Sequence, residues 1–408
     1  DRMSIPYEAI PPSEWKRNAY DSNNSVSIDT LRIFYKCARD LEKIIEEQEG
    51  DEKEVEEYII NLLSLILTQK LHLIVYHDRW LYFFNGKYFE PCPSNKELRC
   101  ILRELCEAAA YLWKRFSVHD KTVKRLLSHV QQNAVKVDYP PDISKYVVFE
   151  NGVLNLDTLE LEDFTPQKFF TSMIHADWLA ENKACPEYEK VINTYTNHET
   201  PLNKRINEVL GVCLTNDMVK KLFCFLGVTN SGKTFLLSFL MRLFNNSATV
   251  TMQPNDLGRQ FAPSMVYGKS LCCCMDMDSA PLNTKATAFL KGISGADMLS
   301  AEFKGENGSV PFQSRAHIIN ASNYDITTKM PDAAFDMRKL VIPFKYRLTD
   351  NAEPFEVLMD KLEREKAAIV RKLILAYKAL KDNHYEFSDS EEGESYDSYV
   401  PPTAVSRS

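Results

Sequence analysis

A chain of 408 residues, 44% hydrophobic and 26% charged, has ordinary globular composition and exceeds the roughly 250–300 residues at which single cores stop growing. Its apolar runs all stop short of the roughly eighteen residues a membrane-spanning helix needs, so no membrane partner is expected. The net charge of −8 excludes attraction to nucleic acid by overall charge, and any such contact must come from local cations. Acid concentrates at Glu42–Glu57, which reads as a solvated helix face, and at Asp389–Glu394, which reads as a disordered segment. The ten cysteines contain no C-x-x-C pair, which suits a reducing, intracellular compartment rather than a zinc site. Asp1-Arg2-Met3-Ser4 opens the chain without a signal core, so a piece of a longer protein is expected.

In chain order, residues 1–29 are rich in Pro, Ser and Asn and read as an extended lead-in. Thr30 to Gln69 carries helical apolar spacing at Leu31, Phe34, Leu41, Ile44, Ile45, Val55 and Ile59 to Leu67. Leu71 to Phe89 changes period, and its aromatic runs around Asn85-Gly86 predict antiparallel strands. Glu97 to Gln132 returns to helix, and Tyr146 to Phe164 predicts a small strand unit turning at Asn151-Gly152. Residues 30–185 are thus expected to form an α+β domain, and Pro186 to Leu214 a helical bridge in which Gly211 and Cys213 only pack. Residues 186–345 are expected to hold the second domain, and 346–408 a helical segment with an acidic tail, cut short.

The pattern alters at Lys221–Leu226, a short apolar run that ends in a glycine loop and is followed by helical spacing from Thr234 to Phe244. Leu271–Met275 and His317–Ile319 are further unalternating runs, the mark of strands covered on both faces. Cys272, Cys273 and Cys274 sit inside the first of these and read as small buried side chains.

Gly227, Val228, Thr229, Asn230, Ser231, Gly232, Lys233 and Thr234 match G-x-x-x-x-G-K-[ST] at every fixed position. Glycines let backbone N–H groups turn inward around phosphate oxygens at the positive end of the next helix. Lys233 supplies charge to the β- and γ-phosphates of ATP, and Thr234 offers its hydroxyl to Mg2+. A chance match in a chain this long is on the order of a per cent. Such a loop needs an acid at a neighbouring strand end, and Asp276 and Asp278 stand after Leu271–Met275. Both are candidates to hold the metal and to polarise water, and the residues leave open which does which. Asn323, after His317–Ala321, could bond the γ-phosphate or the water, with Asn320 as its competitor. Arg338 precedes another apolar run and has the chemistry of an arginine finger, although read alone it is a surface ion-pair partner.

Phosphate loop, acidic strand end, Lys291-Gly-Ile-Ser-Gly-Ala-Asp297, Asn323 and Arg338, in that order, resemble superfamily 3 helicases. The similarity is greatest to the poxvirus-type primase–helicase family of large DNA viruses and related phages. Glu150–Asp157 and Phe164-Thr-Pro166 resemble that family's domain upstream of the motor, and the resemblance spans roughly residues 70 to 345. In related sequences the acid is commonly a glutamate, and spacing to Lys291 places Asp278 at that position.

The resemblance implies an α/β fold: an AAA+-like ATPase core with a central, mostly parallel sheet, preceded by an α+β and helical collar domain. It implies a homo-oligomer, a hexameric ring with single-stranded or forked DNA in its channel, acting at viral replication sites in the host cytoplasm. A primase domain and polymerase processivity factors are the further partners it suggests, while primase activity itself is not ascribed to this chain. A hairpin between the acidic strand and the Asn323 strand would grip the nucleic-acid backbone, and Glu302–Gly308 has that composition. Lys304 would contact phosphate, Phe303 would pack beneath or touch sugar, and Lys291 is a further DNA-binding candidate. The competing expectations are an ATPase that packages DNA or remodels protein, and a scaffold that binds nucleotide without turning it over.

Overall fold

Strands covered on both faces by helices have no solvent side to keep polar, and the apolar runs of this chain form such strands. The computed structural model describes residues 52–70, 72–76, 80–91, 102–103, 106–107, 118–137, 143–253, 256–277, 279–304, 308–349, 353–391 and 393–402. They divide into two compact units, one of residues up to 141 with 165–169, the other of 142–164 and 170 onward. The expected lead-in over 1–29 and the helical spacing before Glu52 lie outside the described residues.

In the first unit, helix α1 (Glu52–Lys70) packs against α2 (Asp120–Asn133), burying Ile59, Ile60 and Leu63 on one and Leu126, Leu127 and Val130 on the other. Strands β1 (Ile74–Tyr76), β2 (Trp80–Phe84), β3 (Phe89–Pro91) and β4 (Val135–Val137) form a sheet in the order β3-β2-β1-β4. The expected Asn85-Gly86 turn joins β2 to β3. The Asn85 carboxamide oxygen accepts from the backbone N–H groups of Lys87 and Tyr88 at 2.9 and 3.0 Å, and Gly86 takes a left-handed φ of 102°.

The second unit begins with β5 (Tyr146–Phe149), β6 (Gly152–Asn155) and β7 (Leu161–Glu162), an antiparallel sheet turning at Asn151-Gly152 as expected. Val147, Phe149 and Leu154 share one core with Leu243 and Phe244 of the following domain. The expected boundary at 185 is therefore corrected: this small sheet belongs with the residues after it. Next come α3 (Pro186–Thr196) and α4 (Thr200–Cys213), each with proline in its first turn, where the missing N–H is harmless. Gly211 on α4 touches the long helix α9 (Phe355–Asp382) so closely that a β-carbon would lie 2.2 Å from the Leu373 carbonyl oxygen. Gly211 and the buried Cys213 thus pack, as expected.

The centre is a five-stranded, wholly parallel sheet of β8 (Leu222–Gly227), β9 (Thr249–Met252), β10 (Leu271–Met277), β13 (His317–Ser322) and β14 (Lys339–Phe344), ordered β14-β8-β13-β10-β9. Between strands run α5 (Lys233–Arg242), α6 (Ala262–Val266), α7 (Thr284–Ser294) and α8 (Ala333–Asp336). Strands β11 (Met298–Glu302) and β12 (Ser309–Gln313) form the antiparallel hairpin expected between the acidic strand and the Asn323 strand. Cys272, Cys273 and Cys274 are fully buried in β10, and burial pushes the Cys273 thiol well above the ordinary range.

The acidic stretch near Asp389 is not disordered as expected; it is folded against the sheet edge. Arg205 on α4 is 1% exposed, and its guanidinium donates to the carbonyls of Val341 and Ser388, both at 2.9 Å, and to the Asp397 carboxylate. Asp397 also accepts from the Val341 N–H of edge strand β14 at 2.8 Å. Ser388 donates through its N–H and hydroxyl to buried Glu208, each at 2.8 Å. A buried cation without partners costs several kcal/mol, roughly, so this segment and Arg205 hold one another in place.

Candidate functional site

The glycine loop leaves the C-terminal end of β8 and enters α5, so its backbone sits where the ends of parallel strands form a crevice. Edge strand β14 presses on the loop from one side: Val228 N–H donates to the Phe344 carbonyl at 3.0 Å, and a β-carbon on Gly227 would lie 2.0 Å from that oxygen. Asn230 takes a left-handed φ of 57°, which asparagine tolerates, and its carbonyl accepts from Leu348 N–H at 2.7 Å. Gly232, with φ 93°, opens α5.

Lys233 is 7% exposed, and its ammonium donates to the carbonyls of Gly227 at 3.0 Å and Val228 at 2.6 Å and to the Ser231 hydroxyl at 3.1 Å. The cation is thereby held inside the curve of the loop. Thr234 is exposed one residue later. The loop opens on a cleft of about 790 Å³. Its apolar wall comes from Val191 and Tyr195 on α3, Phe235 on α5, Leu348, and Phe355 and Leu358 on α9. Its far wall is Met277 at the end of β10 with Ala321, Ser322, Asn323 and Tyr324 around the end of β13. Tyr195 is the residue that sequence reasoning missed; it is buried, and its ring stands edge-on to Phe235 at 6.4 Å. Helical spacing alone marked α3 as a bridge, with no local signal that one ring would meet the glycine loop.

Asn323 lines this cleft, whereas its competitor Asn320 is 0% exposed inside β13. Asp276 lies on β10, and Asp278 falls outside the described residues. The register of β10 against β13 shifts between Cys274 and Met277, so simple alternation from Leu271 does not assign faces at the acidic end.

Arg338 stands at the opposite end of the sheet. Its carbonyl accepts from Leu222 N–H at 2.7 Å, at the start of β8, and its guanidinium is bonded to the Lys291 carbonyl. At about 3.3 Å per residue, β8 separates Arg338 from its own chain's loop by roughly 20 Å. No arginine side chain spans that distance, so Arg338 cannot reach the loop of its own chain.

Lys291, the further DNA-binding candidate, is ion-paired. Its ammonium pairs with Asp332 at 2.7 Å, and that hydrogen bond holds the Asp332 carboxyl below its usual range. Lys304 is exposed beside the hairpin turn, whose residues 305–307 lie outside the described ones. Phe303 packs inward, its ring 5.7 Å from that of Tyr267, which in turn meets Phe312 at 5.1 Å.

Among the described residues no helix is long and apolar enough to cross a membrane. The family described as "D5 N terminal like" matches residues 64–197, and the "Family of unknown function (DUF5906)" matches residues 225–338. Among curated proteins, no sequence matches this chain. The fold is similar to an A-form apo structure of the NrS-1 C terminal region, 12% identical, covering 84% of this chain and 76% of that one, with a TM-score of 0.51. A second apo structure of the same region is 12% identical over 80% of this chain and 76% of that one, at 0.52. A structure of JCV Helicase with a bound small molecule reaches 0.31 over 48% of this chain, too loose a likeness to indicate a shared fold.

Proposed function

We propose that this chain is an ATP-dependent DNA helicase module of a viral replicative primase–helicase, an AAA+-like motor working as a hexameric ring. The observation that carries the reading is one cleft in which Thr229–Thr234, Met277 and Asn323 meet at the C-terminal ends of parallel strands. Inward N–H groups of the loop and the Lys233 ammonium bind the β- and γ-phosphates of ATP. The apolar wall of Val191, Tyr195, Phe235, Phe355 and Leu358 takes the base.

Thr234 and the acidic end of β10 are hard oxygen donors of the kind Mg2+ accepts alongside phosphate oxygens. When bound, Mg2+ neutralises charge on the phosphates. Asn323 orients a water and Asp276 or Asp278 polarises it. The water oxygen bonds to the γ-phosphorus, the bond to the bridging oxygen breaks, and ADP, phosphate and a proton are released. Arg338 stabilises the transferring phosphoryl group of a neighbouring subunit, and Lys304 holds the DNA backbone.

A packaging or remodelling ATPase, and a nucleotide-binding scaffold, share the loop but differ in output. A strand-displacement assay on forked DNA, with and without ATP, separates them. Unwinding that requires ATP supports the helicase reading; ATP turnover without strand separation contradicts it.

A further inference from the structure

Ser322 is buried at the end of β13, one residue before Asn323. Its hydroxyl makes two hydrogen bonds in different directions. It donates to the Met277 carbonyl at 2.9 Å, crossing from β13 to β10, and accepts from the Tyr324 N–H at 2.9 Å, closing a turn around Asn323. Met277 lies between Asp276 and Asp278 in the chain. One hydroxyl is therefore bonded to the backbone on both sides of the cleft's far wall.

The strand ladder is irregular at this place. From Leu271 to Cys274 the pairing with β13 is regular, and the register then shifts before Met277 meets Ser322. A shifted register leaves one strand with an unmatched residue and a local bend. At that irregularity the Ser322 hydroxyl supplies a bond that keeps the strand ends together. Ala321, Ser322, Asn323 and Met277 all face the cleft of the glycine loop.

We infer that Ser322 is a positioning residue that ties the Asn323 turn to the end of β10 at Met277, so that the Asn323 amide is held in place for the attacking water. The inference rests on the ATPase reading proposed above. Nucleotide is bound by the glycine loop and the apolar wall, while the Ser322 hydroxyl bonds Met277 and Tyr324, so the hydroxyl bears on turnover and not on affinity.

Ser322→Ala removes both bonds at the cost of one oxygen, and Ser322→Thr keeps the hydroxyl. A fluorescent ATP analogue reports affinity and phosphate release reports turnover, both on the full chain. Ser322→Ala is expected to bind the analogue within about twofold of the parent while kcat falls about ten- to hundredfold, the scale of a small misplacement of reacting groups. Ser322→Thr is expected to restore most of kcat. The inference is overturned by Ser322→Ala turning over at the parent rate, by its losing binding together with turnover, or by Ser322→Thr being as slow as Ser322→Ala. A parent chain that binds no ATP analogue would instead sink the nucleotide reading itself.

Discussion

The β-carbon that Gly232 lacks would lie 2.3 Å from the ring of Tyr195. Tyr195 belongs to α3 and Gly232 opens α5, so the glycine loop is shaped by a helix that precedes it by more than one element. The ring is rigid and buried among Phe235 and Phe344, and cannot swing aside as a long aliphatic chain would. Gly232→Ala carries this clash and a left-handed φ, the second alone worth about 1–2 kcal/mol. Affinity for an ATP analogue should fall at least about tenfold. A Gly232→Ala chain with parent affinity would show that the loop does not need this approach.

Arg338 and the glycine loop occupy opposite ends of β8. An arginine so placed cannot serve the loop of its own chain, so the proposed finger role requires a neighbouring subunit. Arg338→Ala should bind the ATP analogue normally yet fail to hydrolyse ATP in the assembled ring. Mixed with Lys233→Ala, it should regain part of the lost turnover, because some interfaces then join an intact loop to an intact arginine. Mixtures that stay at background at every ratio would contradict action across the interface.

Lys304 is exposed at the hairpin, while Phe303 beside it packs on Tyr267. Replacing Lys304 by Ala should leave basal ATP hydrolysis intact and abolish strand displacement. Phosphate contacts also make binding salt-dependent, so the variant should show a shallower decline of DNA affinity with salt, by roughly one unit of log–log slope. Unchanged unwinding would remove the hairpin from the DNA path.

His317 opens β13, and burial lowers its pKa from 6.5 to about 4, against the opposing pull of the Thr215 carbonyl, which it meets at 3.1 Å, and of Asp217. The folded state therefore keeps it neutral while the unfolded chain takes up a proton below pH 6.5. Stability from this group is fully present above that pH and declines as pH falls from 6.5 toward 4. Between pH 7 and 5 the loss should be about 2 kcal/mol, read as a drop in the urea midpoint. A His317→Gln chain should show a flatter profile over the same range. Identical profiles for the two would assign the acid sensitivity elsewhere.

The strand–loop–helix order and both Asn-Gly turns were legible because each rests on local chemistry, while the hairpin was expected from the family resemblance. Unalternating apolar runs, glycine and turn residues act within a few positions of themselves. What was not legible depends on distant partners. The stretch near Asp389 reads as disordered by composition, and only the buried Arg205, far away in sequence, makes Asp397 a structural ligand. The small sheet at Tyr146–Glu162 reads as part of the preceding domain until Phe149 is found in one core with Phe244. Tyr195 and Ser322 carry no motif, since a ring against a loop and a hydroxyl between strand ends arise from packing. The shifted register before Met277 is likewise invisible in a run of Cys and Met.

The claim on which the account turns is that Gly227–Thr234 powers a motor on DNA. Phosphate release from ATP and Mg2+, measured with and without single-stranded DNA, tests it in the parent chain and in Lys233→Ala. Turnover in the parent, accelerated by DNA, is expected, with background release in Lys233→Ala under both conditions. Full turnover in Lys233→Ala would contradict it.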